Sequence, residues 1–226
     1  MLDAVSTAQL TMNTDQLKLQ SVSHNIANLN TSGYKKQFLD SLEPDKPVHY
    51  THLATQGTLA QTQTPTDLAI SGSGYFQVQN NQGIFYTRRG DFQLNKYGEL
   101  STATGETLLG AGGVIKPDNA AFTIDAQGTV FIDKQPIDQL EILRFENEQE
   151  LFYIGNGLYQ SNATPSPADH KTRVLQGFVE QSNVTSVDEM MSLLQISRHF
   201  EATQRIMRIA DGLVSTAISQ LGEGNV

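Results

Sequence analysis

The sequence predicts an α+β fold in which a helix at each end of the chain flanks an inserted all-β domain. Apolar residues recur at steps of three and four near both ends, and short aromatic or branched runs separated by turn residues fill the middle. Because the helical stretches lie at opposite ends, they can pair only if the middle folds back as an insertion. We expect four segments: a coiled-coil helix with a polar end (1–33), an extended connector (34–66), a β-rich domain (67–178) and a second coiled-coil helix (179–226).

The N-terminal helix is predicted from a heptad-like row of eight positions, five of them apolar: Leu2, Val5, Gln9, Met12, Gln16, Leu19, Ser23 and Ile26. This spacing indicates helices that pair lengthwise. The row would place Gln9, Gln16 and Ser23 in the seam. Polar seam residues often fix register or partner number at a cost in stability.

The C-terminal helix has the more apolar row, with eight apolar positions out of nine: Leu193, Ile196, Phe200, Thr203, Met207, Ala210, Val214, Ala217 and Leu221. Two helices with such rows favour a coiled-coil pair. The alternative is two ordinary amphipathic helices packed on a globular core, because heptad spacing of this length is only moderately specific.

The middle of the chain carries five runs typical of strands, at 75–79, 84–88, 91–95, 129–133 and 140–145. Turn residues rich in Asn and Gly separate them, which predicts short antiparallel strands and hairpins. Before them, residues 38–66 contain Pro44, Pro47 and Pro65. We expect that stretch to be an extended connection rather than a packed element.

The composition argues against several functional classes. Of 226 residues, 38% are apolar and 17% charged, so uncharged polar residues are abundant. This suits an extended protein with amide-lined surfaces better than a compact enzyme. The formal charge of −9 and the lack of a basic cluster beyond Lys35-Lys36 or Arg88-Arg89 argue against nucleic-acid binding. Without cysteine, disulfides and thiolate sites are excluded.

No catalytic or metal-binding constellation is evident. Ser73 lies between glycines, but residue 71 is not glycine, so the nucleophile-elbow pattern fails and a tight turn is expected. The five histidines lack metal spacing, and we expect no cofactor, metal or small-molecule substrate. A secreted β-sandwich hydrolase would need convergent acid and base groups, which the unpaired Asp67, Asp91, Asp125 and Asp133 do not provide. A stand-alone coiled-coil adhesin is the other alternative.

The first residues also bear on localisation. The first 17 residues include Asp3 and no basic residue, so they lack the basic start of a secretory signal. They also lack its continuous apolar run. No stretch is long and apolar enough to span a membrane. The sequence therefore predicts a cytoplasmic protein or one exported without a cleaved signal peptide.

Residues 21–37, SVSHNIANLNTSGYKKQ, end the first helix in a patch of amides and hydroxyls. Asn30 or Gly33 can adopt the left-handed backbone that ends a helix. We expect Asn25 and Asn28 to lie inside the helix, so a left-handed residue at the helix end does not explain why they are amides.

This stretch resembles the N-terminal signature of the bacterial flagellar rod and hook protein family. The matching positions are Asn25, Ala27, Asn28, Thr31, Gly33, Tyr34 and Lys35. Residues 66–79 and 86–110 look like the β-rich signatures of the rod subfamily. Residues 175–207 resemble the C-terminal signature, with Gly177, Glu180, Ser182, Asn183 and Val184 in place. Residues 154–160 and the Ser-Asn-Val motif look most like the distal rod type, whereas the short 38–65 segment keeps the proximal rod type open.

The resemblance implies a structural, non-enzymatic subunit of the flagellar basal body. Such proteins leave the cell through the flagellar type III export apparatus and polymerise into a helical tube that crosses the periplasm and transmits torque. The implied partners are further copies, other rod and hook proteins, surrounding ring proteins and the export apparatus. The implied assembly residues are the helix-seam residues and the two signature motifs: Leu193, Ile196, Phe200, Met207, Asn25, Ala27, Asn28, Thr31, Gly33, Tyr34, Ser182, Asn183 and Val184.

Overall fold

The computed structural model describes residues 2–41, 49–118, 121–147, 150–169 and 171–223. The chain divides into two compact units. The helical unit comprises Met1–Ala27, Gln37–His52 and Val184–Val226, and the β unit comprises Asn28–Lys36 and Leu53–Asn183. The α+β class is therefore confirmed, with helices from the two ends of the chain in one unit.

The helical unit contains α1 (Leu2–Ala27) and α2 (Ser186–Glu223), which contact each other. Local chemistry explains where α2 begins. Thr185 precedes its first residue, and the Thr185 hydroxyl hydrogen-bonds the Asp188 carboxylate. The Glu189 N–H donates to the Thr185 carbonyl at 3.2 Å, closing the first turn. Two carboxylates in that turn also suit the positive end of the helix dipole.

Each helix has one row of buried or half-buried residues at alternating steps of three and four. On α1 the row is Val5, Ala8, Met12, Asp15, Leu19, Val22 and Ile26; on α2 it is Glu189, Leu193, Ile196, Phe200, Thr203, Met207, Ala210 and Val214. The predicted α2 row is confirmed from Leu193 to Val214. The side chains of Leu2, Ala217 and Leu221 lie outside the described residues.

The predicted seam of α1 was partly wrong. Gln9, Gln16 and Ser23 are exposed, and the buried row instead passes through the residue just before each of them. The physical reason is a small rotation of the helix. That rotation buries Ala8 and Val22 and leaves a single polar residue, Asp15, in this part of the row.

The helical unit also contains a hairpin of β1 (Gln37–Ser41) and β2 (His49–His52), which are antiparallel. β1 contacts α1. Residues 34–66 are therefore not only an extended connection, since they hold this hairpin and a further strand at 59–61. Aromatic and branched residues favour strands, and pairing satisfies their backbone polar groups. Pro44 and Pro47, on which the expectation rested, lie outside the described residues.

The strands of the β unit are short and, where paired, antiparallel. Their bounds are β3 Leu59–Gln61, β4 Leu68–Ser71, β5 Tyr75–Asn80, β6 Gly83–Thr87, β7 Gln93–Leu94, β8 Leu100–Ser101, β9 Thr107–Gly110, β10 Gly113–Val114, β11 Phe122–Ile124, β12 Thr129–Ile132, β13 Gln135–Gln139, β14 Ile142–Arg144, β15 Leu151–Gly155, β16 Leu158–Ser161, β17 Ser166–Pro167, β18 Arg173–Gln176 and β19 Phe178–Glu180.

The main sheet of the β unit runs in the order β15-β16-β6-β5-β9-β8-β7, with β10, β14 and β17 attached. A second sheet is β11-β12-β13, and two strand pairs, β4–β18 and β3–β19, join early strands to late ones. These two pairs bring residues 173–180 alongside residues 59–71. The predicted inserted domain of antiparallel strands is confirmed.

Two apolar clusters support these sheets. The larger is aliphatic and aromatic and includes Leu68, Phe76, Val78, Leu108 and Val130, each fully or almost fully buried. The smaller is aromatic and contains Tyr75, Tyr86, Phe145, Leu151 and Tyr159. Several of these rings meet edge to face, an arrangement that aromatic quadrupoles favour.

Candidate functional site

In the β unit, the segment that follows α1 lies against the segment that precedes α2. The Gly33 N–H donates to the Glu180 carbonyl at 2.7 Å, and the Asn183 N–H donates to the Tyr34 carbonyl at 3.3 Å. Together with Lys35 and Arg88, these four residues form what we call the signature junction. Residues far apart in sequence, from the two terminal motifs, therefore meet in space.

A buried ion cluster lies at the centre of the signature junction. Lys35 Nζ is 2.6 Å from Glu180 Oε1, and Arg88 Nε is 3.1 Å from Glu180 Oε2. The three side chains are at most 4% exposed. A carboxylate buried to this extent is costly unless it is paired and hydrogen-bonded, and here each oxygen faces a cation.

Backbone groups complete the cluster. Lys35 Nζ donates to the Thr55 carbonyl at 2.9 Å, and the Gly57 N–H donates to Glu180 Oε1 at 3.0 Å. The Arg88 guanidinium donates to the carbonyls of Gly72 and Gly74. The cluster thus holds backbone from two separate stretches of the chain, 55–57 and 72–74.

Gly33 is required by its conformation and its surroundings. Its φ of +66° is left-handed, and a Cβ on Gly33 would lie 2.4 Å from the Arg88 carbonyl carbon and oxygen. Of the two residues expected to take the left-handed backbone that ends the helix, Gly33 is left-handed, but α1 ends six residues earlier, at Ala27, so Gly33 does not end it. Next to it, Tyr34 is 1% exposed and meets the Tyr153 ring edge to face, with 6.4 Å between centroids.

Both polar atoms of the Asn183 side-chain amide form hydrogen bonds within the β unit. Its Nδ2 donates to the carbonyls of Leu53 and Thr55, both at 2.9 Å, and its Oδ1 accepts from the Lys36 N–H at 2.6 Å. The amide therefore joins the backbone at Lys36 to the backbone at Leu53 and Thr55, using its N–H donors and its oxygen acceptor. A side chain without both kinds of group would leave some of these backbone groups unpaired.

Asn28 does not lie inside the helix, contrary to expectation, because α1 ends at Ala27. Asn28 instead begins a turn: its side-chain oxygen accepts from the Thr31 hydroxyl at 3.0 Å, and its carbonyl accepts from the Thr31 N–H at 3.1 Å. Asx-type turns of this kind compete with helix continuation. Among the other motif residues, Ala27 is exposed, Ser182 is half-buried and Val184 is buried.

Asn25 lies inside α1 as expected, and its amide is fully engaged in the helical unit. Its Oδ1 accepts from the Gln37 N–H at 2.9 Å, and its Nδ2 donates to the Gln37 carbonyl at 2.8 Å. Nδ2 also reaches Glu189 Oε2 at 3.2 Å. Asn25 therefore fixes the start of β1 and the first turn of α2 to the end of α1.

A second polar contact links the helices nearer their middle. Asp15 Oδ2 is 2.6 Å from His199 Nδ1, and the Asp15 side chain is only 4% exposed whereas that of His199 is 60% exposed. Sequence reasoning missed this pair and the Lys35–Arg88–Glu180 cluster. The sequence feature that could have revealed both is a charged residue within an otherwise apolar helix row or strand.

The predicted seam residues Leu193, Ile196, Phe200 and Met207 are all half-buried. A second, unpredicted set of large apolar side chains on α2 is more than half exposed. We call it the exposed stripe: Val187, Met190, Met191, Leu194, Ile206, Ile209 and Leu213. Exposed apolar patches of this kind mark interaction sites.

Enzyme-like features are few in the described part of the chain. No group of three His, Asp or Glu side chains there could hold a metal ion. The turn around Ser73 has left-handed glycines at 72 and 74, as expected. Neither α1 nor α2 carries an apolar stretch of the length that a membrane crossing needs.

Three family models match the chain. The model described as flagella basal body rod protein matches residues 6–35. The flagellar hook protein FlgE/F/G D1 domain matches residues 69–132, and the flagellar basal body rod FlgEFG protein C-terminal model matches residues 175–221. The first and third models contain the two terminal motifs that meet at the signature junction.

Relatives match over nearly the full length. The flagellar basal-body rod protein FlgF of Mesorhizobium japonicum is 32% identical over 221 residues, covering 91% of this chain and 92% of the relative. FlgF of Caulobacter vibrioides is 33% identical, covering 92% and 93%. The rod protein FlgG of Buchnera aphidicola subsp. Acyrthosiphon pisum is 31% identical over 252 residues, covering 93% and 96%. This chain belongs to the flagellar basal-body rod and hook protein family.

Proposed function

We propose that this protein is a structural subunit of the flagellar basal-body rod and that it polymerises into the helical tube transmitting torque from motor to hook. Its relatives are named as basal-body rod proteins and carry no enzymatic name. The single observation that carries the proposal is the exposed stripe on α2. A helix that turns one face to α1 and leaves a second apolar face in water is suited to a polymer.

The exposed stripe has two parts. Val187, Met190, Met191 and Leu194 form the first, and Ile206, Ile209 and Leu213 form the second. Exposed Arg198, Glu201 and Arg205 lie between them. Full burial of one such apolar side chain contributes about 1.5–3 kcal/mol. Neighbouring helices that cover both parts would therefore contribute strongly to assembly, and the charged segment would help to set their orientation.

We propose that α1 and α2 pair as a coiled coil through the two rows described above. The 3–4 spacing of both rows and the contact between the helices support this. The partners would be further copies of this chain, other rod and hook proteins, surrounding ring proteins and the export apparatus. The location would be the periplasmic part of the basal body.

The terminal motifs remain predicted assembly residues, but their contacts suggest how they act. Gly33, Tyr34 and Asn183 satisfy partners within their own chain. We propose that they act on assembly by holding residues 28–36 and 177–183 together. Their substitution would then destabilise the β unit before it affected any neighbour.

The distal rod type remains our first choice, and the proximal rod type is the second candidate. The alignment with Mesorhizobium FlgF, the proximal type, spans 221 residues and covers 91% of this chain. The alignment with Buchnera FlgG, the distal type, spans 252 residues and covers 93% of this chain. The FlgG relative therefore carries more residues that this chain lacks. This observation favours the proximal type, whereas residues 154–160 and the Ser-Asn-Val motif favour the distal type.

The decisive experiment is Leu194→Asp expressed in a strain lacking the native protein. Leu194 is 56% exposed on the stripe, so the charge should leave the fold intact and block its burial by a neighbour. Electron microscopy of purified basal bodies should show rods that stop short. Gln195→Asp is the matched control, since it adds the same charge at the adjacent exposed position, which carries a polar side chain. Full-length rods with Leu194→Asp would refute the proposal.

A further inference from the structure

Two side-chain contacts determine how α1 and α2 are aligned. Asp15 meets His199, and Asn25 meets Glu189. The partners advance by ten residues on α1 while they retreat by ten on α2, so the helices run antiparallel. Ten residues of helix span about 15 Å, so the two contacts lie nearly three turns apart. Only one register satisfies both.

Three of the four residues in these contacts are buried, whereas the His199 side chain is 60% exposed. Asp15 is 3% exposed, and Asn25 and Glu189 are each 1% exposed. A buried carboxylate or amide that loses its partner keeps its desolvation cost without compensation. The contacts therefore penalise every alignment that separates them.

The apolar rows alone discriminate poorly between alignments. On α2, residues one heptad apart are similar in character: Leu193, Phe200 and Met207 in one position, Ile196, Thr203 and Ala210 in the other. A shift by seven residues therefore brings one mixed-size apolar row against another. Shape alone is a weak guide to register when cores of similar volume can repack.

The polar contacts respond differently to such a shift. A slip of one heptad puts Asp15 level with Ile206 or with Ser192, and neither has an imidazole ring to hydrogen-bond the carboxylate. In the first case Asn25 becomes level with Ile196, and in the second it lies beyond the start of α2. A parallel pair of two α1 helices would bring Asp15 against Asp15, which is repulsive.

We propose that Asp15 and His199 are specificity-determining residues for helix pairing: together they make α1 accept α2 in one antiparallel register and reject a shifted α2 or another α1. In a polymer that crowds many copies of both helices, this selection keeps like helices from pairing. A polar pair in a helical seam has this effect at some cost in stability. The inference concerns helix pairing, on which the proposed assembly depends.

Disulfide cross-linking tests the proposal, because the chain has no native cysteine. Val22→Cys with Leu193→Cys reports the observed register. Val22→Cys with Phe200→Cys reports a slip of one heptad. Each pair is placed in the full-length unassembled chain with native Asp15 and His199, and the intramolecular cross-linking rates are compared. We expect the first pair to react at least about tenfold faster, because the slipped register leaves the buried Asp15 and Asn25 side chains without their partners.

The same comparison is repeated in two further backgrounds. In Asp15→Leu with His199→Leu, which apolar packing should keep folded, we expect the rate ratio to fall towards one. In the exchanged variant, Asp15→His with His199→Asp, we expect the preference to return. Three results would overturn the proposal: an unchanged ratio in the leucine background, no recovery on exchange, or no preference in the native background. Because no rod is formed, the outcome is independent of the Leu194→Asp experiment.

Discussion

Lys35 and Glu180 are 145 residues apart in the sequence, yet Lys35 Nζ lies 2.6 Å from Glu180 Oε1 with both side chains almost fully buried. One residue belongs to the motif that follows α1 and the other to the motif that precedes α2. Their ion pair, completed by Arg88, is the chemical centre of the signature junction. The two terminal motifs are thus parts of one site in the folded β unit.

Glu180→Gln should destabilise the β unit by about 3–5 kcal/mol, because it leaves Lys35 and Arg88 buried without a counter-charge. Urea denaturation followed by tyrosine fluorescence measures the loss. Asp118→Asn is the matched control: it removes the partner of Lys116 in an ion pair whose side chains are 49% and 71% exposed. That variant should change stability by at most about 1 kcal/mol. Equal losses in the two variants would show that the Glu180 cluster contributes no more than a surface pair.

Gly33→Ala should cost more than about 2 kcal/mol, since the left-handed backbone disfavours any Cβ and the new atom would meet the Arg88 backbone. Gly212→Ala is the opposite case. Gly212 lies within α2 with open space around its Cβ position, so alanine should stabilise the helix by about 0.5–1 kcal/mol. Thermal melts by circular dichroism measure both, and a stable Gly33→Ala variant would contradict the tight approach.

Asn183→Asp tests the amide bridge with almost no change in size. The carboxylate keeps the acceptor for Lys36 N–H but faces the carbonyls of Leu53 and Thr55 without a proton to donate. We expect a loss of about 1–3 kcal/mol in chemical denaturation at neutral pH. Asn81→Asp, at an exposed turn position, should stay within about 0.5 kcal/mol. A similar effect of the two changes would argue against the bridge.

Glu106 should make the β unit sensitive to acid. Burial raises the pKa of Glu106, but hydrogen bonds from the Thr102 and Thr104 hydroxyls, with the Arg89 charge, outweigh burial and leave the pKa below its ordinary 4.5. The stabilisation is therefore present above the unfolded pKa and lost as the pH falls through the lower folded value. Unfolding between about pH 3 and pH 6 should show a steeper loss for the native chain than for Glu106→Gln. Parallel curves would contradict this.

Phe200→Asp should block polymerisation while leaving the β unit folded. Phe200 is half-buried in the α2 row, and a carboxylate there would be partly desolvated. Sedimentation measures polymer formation, and near-ultraviolet circular dichroism reports the β unit. Ala202→Asp adds the same charge at an exposed position of α2. If Phe200→Asp polymerises like Ala202→Asp, the seam assignment is wrong.

Sequence periodicity determined the two helices, the α2 row and the antiparallel character of the middle, because these depend on local spacing and turn chemistry. The motif residues could also be named from the sequence, as could the left-handed Gly33. The hairpin at 37–52 was missed because three prolines dominated the interpretation. The pairing of β1 with β2 and the contact of β1 with α1 offset that local preference, and both join residues that are distant in the sequence.

Only the tertiary structure decided which positions of α1 face inward and which charges meet. Gln9 and Asp15 are both polar, and periodicity cannot tell which one a small rotation of the helix will bury. The pairing of Lys35 with Glu180, and of Asp15 with His199, joins residues more than a hundred positions apart. Such contacts exist only once the chain ends are brought together, since the energy of a buried charge depends on what the fold places beside it.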